Sequence, residues 1–303
     1  MPKRNINRAV LLLHLTVLIW GFTGVLGGLI SLEALPLVWY RVVIASLSLW
    51  LFLKFKRQEY VLPLAEMIPI LLVGMLVGLH WSLFFYSIKV STVSVTLVTL
   101  SSLTLFTAVL EPLINKKKVS IADVVIGLII VYGIYLIFKF EYEYFLGIIT
   151  GILSAVCASL FSIFNARLVK KYKPTYIAYY EMLGACVFVS LLLGFSGQWR
   201  DLGQIATTDI LYLLLLGVAC TSFAYVLGVM VMRELTAFTV ALTTNMEPVY
   251  GMLLAFVIFG EKEKMSTGFY LGTLIILFAV FMYPVVKNRW LGRKSKAIIR
   301  KIH

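Results

Sequence analysis

Long apolar stretches alternate with short polar segments along the whole chain of 303 residues. A helix of about 20 residues crosses the hydrocarbon core of a bilayer, so each stretch is typical of a membrane span. The pattern therefore predicts an all-α membrane protein with ten transmembrane helices. The predicted spans are Ala9–Ile30, Leu35–Leu53, Met67–Ile88, Val93–Ile114, Ile121–Phe138, Phe145–Ala166, Thr175–Phe195, Ile210–Met232, Ala237–Phe259 and Phe269–Val286.

The ten predicted spans form two sets of five that resemble each other. From the third span onward, a constant offset of 144 positions aligns the two sets without gaps, as from Trp81 to Tyr225. Around the second span of each set, Tyr40-Arg41 corresponds to Tyr180-Glu181. The offset of 144 also pairs Lys89 with Arg233, Thr92 with Thr236, Thr99 with Thr243 and Phe106 with Tyr250.

Because the first set has an odd number of spans, the second set enters the membrane from the opposite side. Two such sets form an inverted repeat, which is the plan of many small-molecule transporters. We divide the single membrane domain into a first repeat at residues 1–142 and a second, inverted repeat at residues 143–288. A basic tail at residues 289–303 follows them.

The net charge of +13 is distributed unevenly between the connections. Lysine and arginine are concentrated at the N-terminus, in alternate connections and in the tail, for example at Lys116, Lys117 and Lys118. The positive-inside rule then places both termini in the cytoplasm, and the tail lies against the anionic inner leaflet. These observations predict a multi-pass protein of a bacterial inner membrane, and the charge does not require a nucleic-acid partner.

The three cysteines, Cys157, Cys186 and Cys220, all lie within predicted spans and show neither metal-ligand nor disulfide spacing. The histidines do not form a cluster with them, so we expect no metal and no cofactor. The first apolar run is too long for the core of a signal peptide and lacks a small-residue cleavage site. We therefore interpret it as a retained span.

Several local motifs resemble those of a known family. They are Trp20-Gly21-Phe22 in the first span, Pro36 to Arg41 at the start of the second, Glu247-Pro248-Val249-Tyr250-Gly251 in the ninth, and Phe259-Gly260-Glu261-Lys262 after it. Their order resembles that of the drug/metabolite transporter superfamily, whose ten-span members have two EamA-like repeats. The resemblance implies export or exchange of amino acids or other small metabolites, often with proton coupling. The first repeat departs from the family pattern, because Thr104 stands where a helix proline is common and Lys116-Lys117 replaces Gly-Glu.

Glu247 is the strongest candidate for a substrate-binding or proton-coupling residue. It lies about eleven residues into the ninth predicted span, where an ionisable side chain is costly and usually functional. Pro248 removes one helical hydrogen bond beside it and can open the helix, and Asn245 adds a polar group. The carboxyl could bind a substrate ammonium or carry a proton. The alternative is a protonated carboxyl that only packs against a neighbouring helix.

Three further polar residues extend the candidate site. Arg41 could hold a substrate carboxylate in a bidentate pair. It could also extend to the membrane surface or bind a neighbouring carbonyl group at the edge of the bundle. Its repeat counterpart Glu181 is a gate candidate, or an acid that extends to the cytoplasmic surface. His80 could relay a proton because histidine titrates near neutral pH, or it could be a neutral packing residue.

Aromatic side chains near the middle of the spans are candidates for the lining of a substrate cavity, although protein cores use the same side chains. They are Trp81, Tyr225 and Tyr250. Gly-x-x-x-Gly pairs, which allow close contact between membrane helices, begin at Gly24, Gly74, Gly147 and Gly268. We expect this packing within one chain, and the pattern is compatible with both a monomer and a homodimer.

These patterns predict a secondary transporter that works by alternating access. Its expected partners are a small-molecule substrate, the lipid bilayer and, if transport is proton-coupled, protons. No Gly-x-x-x-x-Gly-Lys-Ser/Thr sequence is present, so ATP hydrolysis is not expected. An intramembrane enzyme is disfavoured because Gly-x-Ser-x-Gly and His-Glu-x-x-His motifs are absent. The alternative is a lipid flippase or a non-transporting membrane protein on the same scaffold.

Overall fold

The computed structural model describes residues 6–58, 61–119, 121–203 and 205–282, which form helices and no strands. The all-α fold class is confirmed for this part of the chain, and the predicted tail at residues 289–303 lies outside it. The helices are α1 (Ile6–Leu29), α2 (Ala34–Phe55), α3 (Leu64–Val90), α4 (Val93–Leu100), α5 (Leu103–Ile114), α6 (Ile121–Phe140), α7 (Phe145–Leu168), α8 (Pro174–Ser196), α9 (Thr207–Leu214), a π-helical segment (Leu215–Phe223), α10 (Ala224–Val231), α11 (Ala237–Thr244), α12 (Met246–Phe259) and α13 (Thr267–Met282).

Eight helical stretches among the described residues are long and apolar enough to cross a membrane. They are Asn7–Leu29, Ala34–Phe55, Leu64–Val90, Val93–Ile114, Tyr142–Leu168, Pro174–Ser196, Thr207–Val231 and Ala237–Glu263. Two shorter apolar helices, Val125–Phe140 and Thr267–Met282, occupy the places of the fifth and tenth predicted spans. The count of ten spans and the orientation of the termini therefore stay predictions. Large apolar side chains such as Phe195, Leu211 and Phe278 are exposed, which suits a surface that faces lipid.

Two of the spans are broken near their middle. In the fourth span, a turn at Ser101 and Ser102 separates α4 from α5, and in the ninth span Asn245 separates α11 from α12. The repeat offset of 144 positions relates Ser101 to Asn245, so the two breaks are equivalent. Pro248 lies in the first turn of α12, where a missing N–H is tolerated. The break in the first repeat forms without a proline.

The two repeats pack closely against each other. Helix α3 of the first repeat packs along α7 and α8 of the second, and α2 packs along α8 and the π-helical segment. A Cβ at Gly74 would lie 2.2 Å from the Glu181 carbonyl oxygen, and one at Gly184 would lie 2.1 Å from that of Leu71. Glycine is therefore needed at both positions, because it lets the backbones of α3 and α8 touch.

The π-helical segment provides a second close contact between the repeats. The hydroxyls of Thr221 and Ser222 donate to carbonyl oxygens five residues earlier, those of Leu216 at 2.7 Å and Gly217 at 3.0 Å. Such bonds satisfy the carbonyl groups of a widened helical turn, a feature that is frequent at functional sites. A Cβ at Gly217 would lie 2.6 Å from Ile44 Cγ2, so the missing side chain admits α2.

One end of the bundle holds the ends of α1, α3 and α12 and the start of α9, and we call it the Lys89 end. There the Asp209 carboxylate accepts hydrogen bonds from the N–H of Ser31 at 3.1 Å and from its hydroxyl at 2.5 Å. The Glu263 carboxylate accepts bonds from the first two N–H groups of α4, at 3.0 and 2.9 Å. A carboxylate at this position stabilises the positive end of the helix dipole.

The opposite end holds the ends of α7 and α10 and the start of α11, and we call it the Arg233 end. There the Glu111 carboxylate accepts a hydrogen bond from the second N–H group of α11 at 3.0 Å. Lys171 pairs with Glu66 at 3.1 Å, and hydrogen bonds with Tyr172 and Glu66 raise the pKa of Lys171. At each end, a carboxylate of one repeat therefore caps the broken span of the other.

Candidate functional site

A central cavity lies between the two repeats, with about 750 Å³ of empty space including its opening. Helices of both repeats form its walls. Its polar lining consists of Thr23, Arg41, His80, Ser162, Asn165, Thr244 and Glu247, and its aromatic lining consists of Trp20, Trp81, Phe84, Phe161 and Tyr225. A concave, mostly apolar cavity with a few polar groups is typical of a small-molecule site.

The cavity extends toward the Arg233 end of the bundle. At that end, Asn165 in the last turn of α7 and Met232 directly after α10 both belong to its lining. Toward the Lys89 end, the lining stops at Thr23 of α1 and Phe84 of α3, which both lie more than one turn before the ends of their helices. The cavity is therefore closer to the Arg233 end.

Arg41 of α2 is only 1% exposed and lines the cavity. Its Nε donates to Thr221 Oγ1 at 2.7 Å, and its guanidinium carbon lies 3.9 Å from the centre of the Trp81 ring. The π-helical segment thus places the hydroxyl that orients the guanidinium. Nη1 is buried and has no hydrogen-bond partner among the described residues. A buried donor without a partner is costly, so an oxygen of a bound ligand would be favourable here.

Glu247 of α12 is 5% exposed and lines the same cavity as Arg41. Neither Arg41 nor Glu247 belongs to an ion pair within the part of the chain that the structure describes. The cavity therefore presents a cationic group and a carboxyl group that do not neutralise each other by direct contact. Such an arrangement can hold a ligand that carries both signs of charge.

His80 and Trp81 are neighbours in α3, and both line the cavity. His80 Nδ1 lies 3.0 Å from the carbonyl oxygen of Ser154 and 2.8 Å from its hydroxyl oxygen, so α7 fixes the imidazole ring. The Trp81 ring meets the ring of Tyr225 edge to face, with 5.8 Å between their centres. The structure therefore brings together five of the predicted site residues: Arg41, His80, Trp81, Tyr225 and Glu247.

Asn245, Pro248 and Tyr250 lie outside the lining of this cavity. Asn245 Nδ2 donates to Thr104 Oγ1 at 2.5 Å, so its amide joins the broken spans of the two repeats. Asn245 and Pro248 border a smaller void between the two breaks, which Glu247 also borders. Tyr250 packs on α1 at Gly21, where an added Cβ would lie 3.1 Å from Tyr250 Cβ.

Glu181 is fully buried and is not part of the cavity lining. Asn165 Nδ2 donates to the Tyr225 hydroxyl at 3.1 Å and lies 3.4 Å from Glu181 Oε2. Asn165 and Tyr225 both line the cavity, so they stand between it and Glu181. Glu181 Oε1 has no hydrogen-bond partner among the described residues.

Sequence reasoning did not single out Asn165 or Thr221, which contact Glu181 and Arg41. Asn165 is an amide inside an apolar stretch, and this is a usable signal because buried polar groups need partners. Thr221 gives a weaker signal, because threonine in a membrane helix commonly bonds to its own helix. Only the packing of α2 on the π-helical segment reveals its contact with Arg41.

Comparison with known proteins identifies the scaffold. The EamA-like transporter family matches the chain twice, over residues 7–139 and 145–283. No curated protein sequence matches the chain. A solved crystal structure of a protein has a similar fold, with a TM-score of 0.68 and 14% sequence identity over 92% of this chain and 98% of that chain.

The two family matches cover most of the chain and correspond to its two structural halves. They confirm the two-repeat architecture and the resemblance to the drug/metabolite transporter superfamily. Together with the apolar helices, they identify a multi-pass membrane protein on a transporter-type scaffold. The chain belongs to the EamA-like transporter family.

Proposed function

We propose that the protein is a secondary transporter that exports or exchanges a small zwitterionic metabolite, such as an amino acid, by alternating access. The observation that carries the proposal is that Arg41 and Glu247 line one cavity between the two repeats. An amino acid bears a carboxylate and an ammonium group. A guanidinium and a carboxylate are their complementary partners in charge-assisted hydrogen bonds.

Protons are the coupling ion that this arrangement favours. Glu247 is a buried carboxyl group on the cavity wall. If a proton and the substrate ammonium compete for it, binding of one releases the other, and a proton gradient then drives the substrate.

The predicted orientation favours export as the direction of transport. With both termini in the cytoplasm of a bacterial cell, as the lysine and arginine distribution predicts, the Arg233 end faces the cytoplasm. A cavity that extends toward this end belongs to an inward-facing state, which would load a substrate for export. One chain forms the whole cavity, so a monomer is sufficient for this function.

The proposal is tested by flux into and out of liposomes that contain the purified protein. Radiolabelled amino acids, nucleosides and cationic drugs are compared with and without a pH gradient. Glu247→Gln is compared with Glu261→Gln, a matched change at an exposed glutamate. We expect saturable amino acid flux that Glu247→Gln lowers about 30-fold or more. The substrate ammonium would lose its charged partner in the cavity, and loss of one partner of a buried charge pair costs about 2–5 kcal/mol.

The outcomes separate the competing functions. Dependence of the flux on the pH gradient would support proton coupling, and unchanged flux in Glu247→Gln would remove Glu247 from the site. Absence of flux for every small molecule would contradict the proposal. Translocation of a fluorescent phospholipid in the same liposomes would then favour the lipid flippase.

A further inference from the structure

Lys89 connects two helices at the end of the bundle that is named after it. Its Nζ donates to the carbonyl oxygen of Ile30 at 2.6 Å and so joins the end of α3 to the end of α1. Ile30 directly follows the last residue of α1 and is 1% exposed. A charge-assisted bond to a buried carbonyl group is stronger than a neutral one, so this contact holds the two helix ends together.

The second repeat has a corresponding pair of residues at the Arg233 end, namely a basic residue at the end of its third span and the residue that follows its first helix. The offset of 144 positions relates Lys89 to Arg233, which follows the end of α10. Val169 directly follows the last residue of α7, as Ile30 follows that of α1, and it is 3% exposed. The inverted repeat therefore predicts an equivalent bond from Arg233 to the Val169 carbonyl oxygen.

The structure does not contain that bond. Arg233 and Val169 both line a surface cleft, which has about 710 Å³ of empty space including open solvent. The Arg233 side chain is exposed and has no hydrogen-bond or ion-pair partner in the described part of the chain. Met232, the sequence neighbour of Arg233, lines the central cavity, so Arg233 lies one residue away from that lining.

Another kind of contact between the repeats is present at both ends. Ser31 with Asp209 at the Lys89 end and Lys171 with Glu66 at the Arg233 end each join the loop after the first helix of one repeat to the other repeat. Both contacts are present in this state. The bond from Lys89 to Ile30, in contrast, has no counterpart from Arg233 to Val169.

We infer that Arg233 is a gate residue of the Arg233 end. In the alternate state, its guanidinium donates to the Val169 carbonyl oxygen and closes the cavity at this end, while Lys89 releases Ile30 at the other. Arginine is suited to this contact because it is always charged and offers several donors. The inference rests on the proposed alternating access, and its test needs no substrate.

The test measures access to the cavity from each side of the membrane. Ser162, which lines the cavity, is replaced by cysteine after Cys157, Cys186 and Cys220 are changed to serine. A membrane-impermeant thiol reagent is applied to vesicles of both orientations. The ratio of the two labelling rates then reports the balance between the two states.

Lys89→Gln should shift this ratio about tenfold toward access from the Lys89 end, the effect of losing one charge-assisted hydrogen bond. Adding Arg233→Gln to Lys89→Gln should reverse the shift, because the bond that stabilises each of the two states is then absent. Arg233→Lys, which retains a charged donor, should leave the shift in place. Arg200→Gln, at an exposed arginine, is the matched control and should also leave it in place.

The inference is overturned if Lys89→Gln does not change the labelling ratio, or if Arg233→Gln fails to reverse the change. Failure of the gate and failure of the proposed function give different results. Substrate flux with unchanged labelling would contradict the gate alone. A labelling shift that Arg233→Gln reverses, without flux of any small molecule, would contradict the transport function and retain the gate.

Discussion

Arg41 and Glu181 occupy equivalent positions in the two repeats, but only one of them reaches the cavity. Arg41 lies against Trp81, and Glu181 is connected through Asn165 to Tyr225, the repeat counterpart of Trp81. Both charged residues are almost completely buried. Arg41 nevertheless lines the cavity, whereas Asn165 and Tyr225 lie between the cavity and Glu181.

Under the proposed function, this difference gives two equivalent positions of an inverted repeat different roles. The scaffold places a polar side chain beside an aromatic ring on each side of the centre. Because one side chain is a cation and the other an acid, the two positions cannot bind the same ligand group. We assign substrate binding to Arg41, and we retain Glu181 as a gate candidate, since its surroundings change if the repeats exchange conformations.

Arg41→Gln tests the substrate-binding half of this comparison and is expected to have the largest effect. Substrate affinity should fall about 30-fold or more, corresponding to about 2–5 kcal/mol, because a buried charged partner is lost. Glu181→Gln should change affinity less than about threefold, since Glu181 does not line the cavity. Equilibrium binding of labelled substrate to the purified protein measures both. Equal losses in the two variants would contradict the assignment.

Much of the fold could be predicted from the sequence, because the bilayer imposes a simple rule. A span must be apolar and must satisfy its own backbone groups, so hydropathy alone locates most of the helices. The offset that relates Trp81 to Tyr225 also relates the breaks at Ser101 and Asn245. The break at Ser101 was not expected, because it forms without a proline.

The site was less accessible to sequence reasoning because it depends on contacts between the repeats. Glu247 and Arg41 stand out as charges inside spans, but only the packing shows that they share a cavity. The sequence likewise does not show whether Glu181 or Tyr225 lies closer to the cavity. Asn165 connects Glu181 to Tyr225, and only the tertiary structure shows that these two side chains are its neighbours.

Gly74→Ala tests the packing that buries Glu181, and it is expected to lower stability by about 1–3 kcal/mol. An added Cβ would lie 2.2 Å from the carbonyl oxygen of Glu181 and 2.6 Å from its Cα, and backbone atoms cannot move aside cheaply. Thermal unfolding of the purified protein should show a lower midpoint. Gly203→Ala is the matched control, since nothing lies within 4 Å of a Cβ there. Equal unfolding midpoints in Gly74→Ala and Gly203→Ala would contradict the prediction, because they would show that α3 and α8 can move apart at this contact at little cost.

Tyr225→Phe tests the link between Glu181 and the cavity, and it is expected to have the smallest effect. The change removes the hydroxyl that accepts a bond from Asn165 at 3.1 Å, at a cost of about 1 kcal/mol in unfolding free energy. The phenyl ring can still contact Trp81, so substrate affinity should fall much less than in Arg41→Gln. Tyr132→Phe, at an exposed ring, is the control. If Tyr225→Phe lowered affinity as much as Arg41→Gln, the hydroxyl itself would contact the substrate, and the Glu181 side of the centre would belong to the binding site.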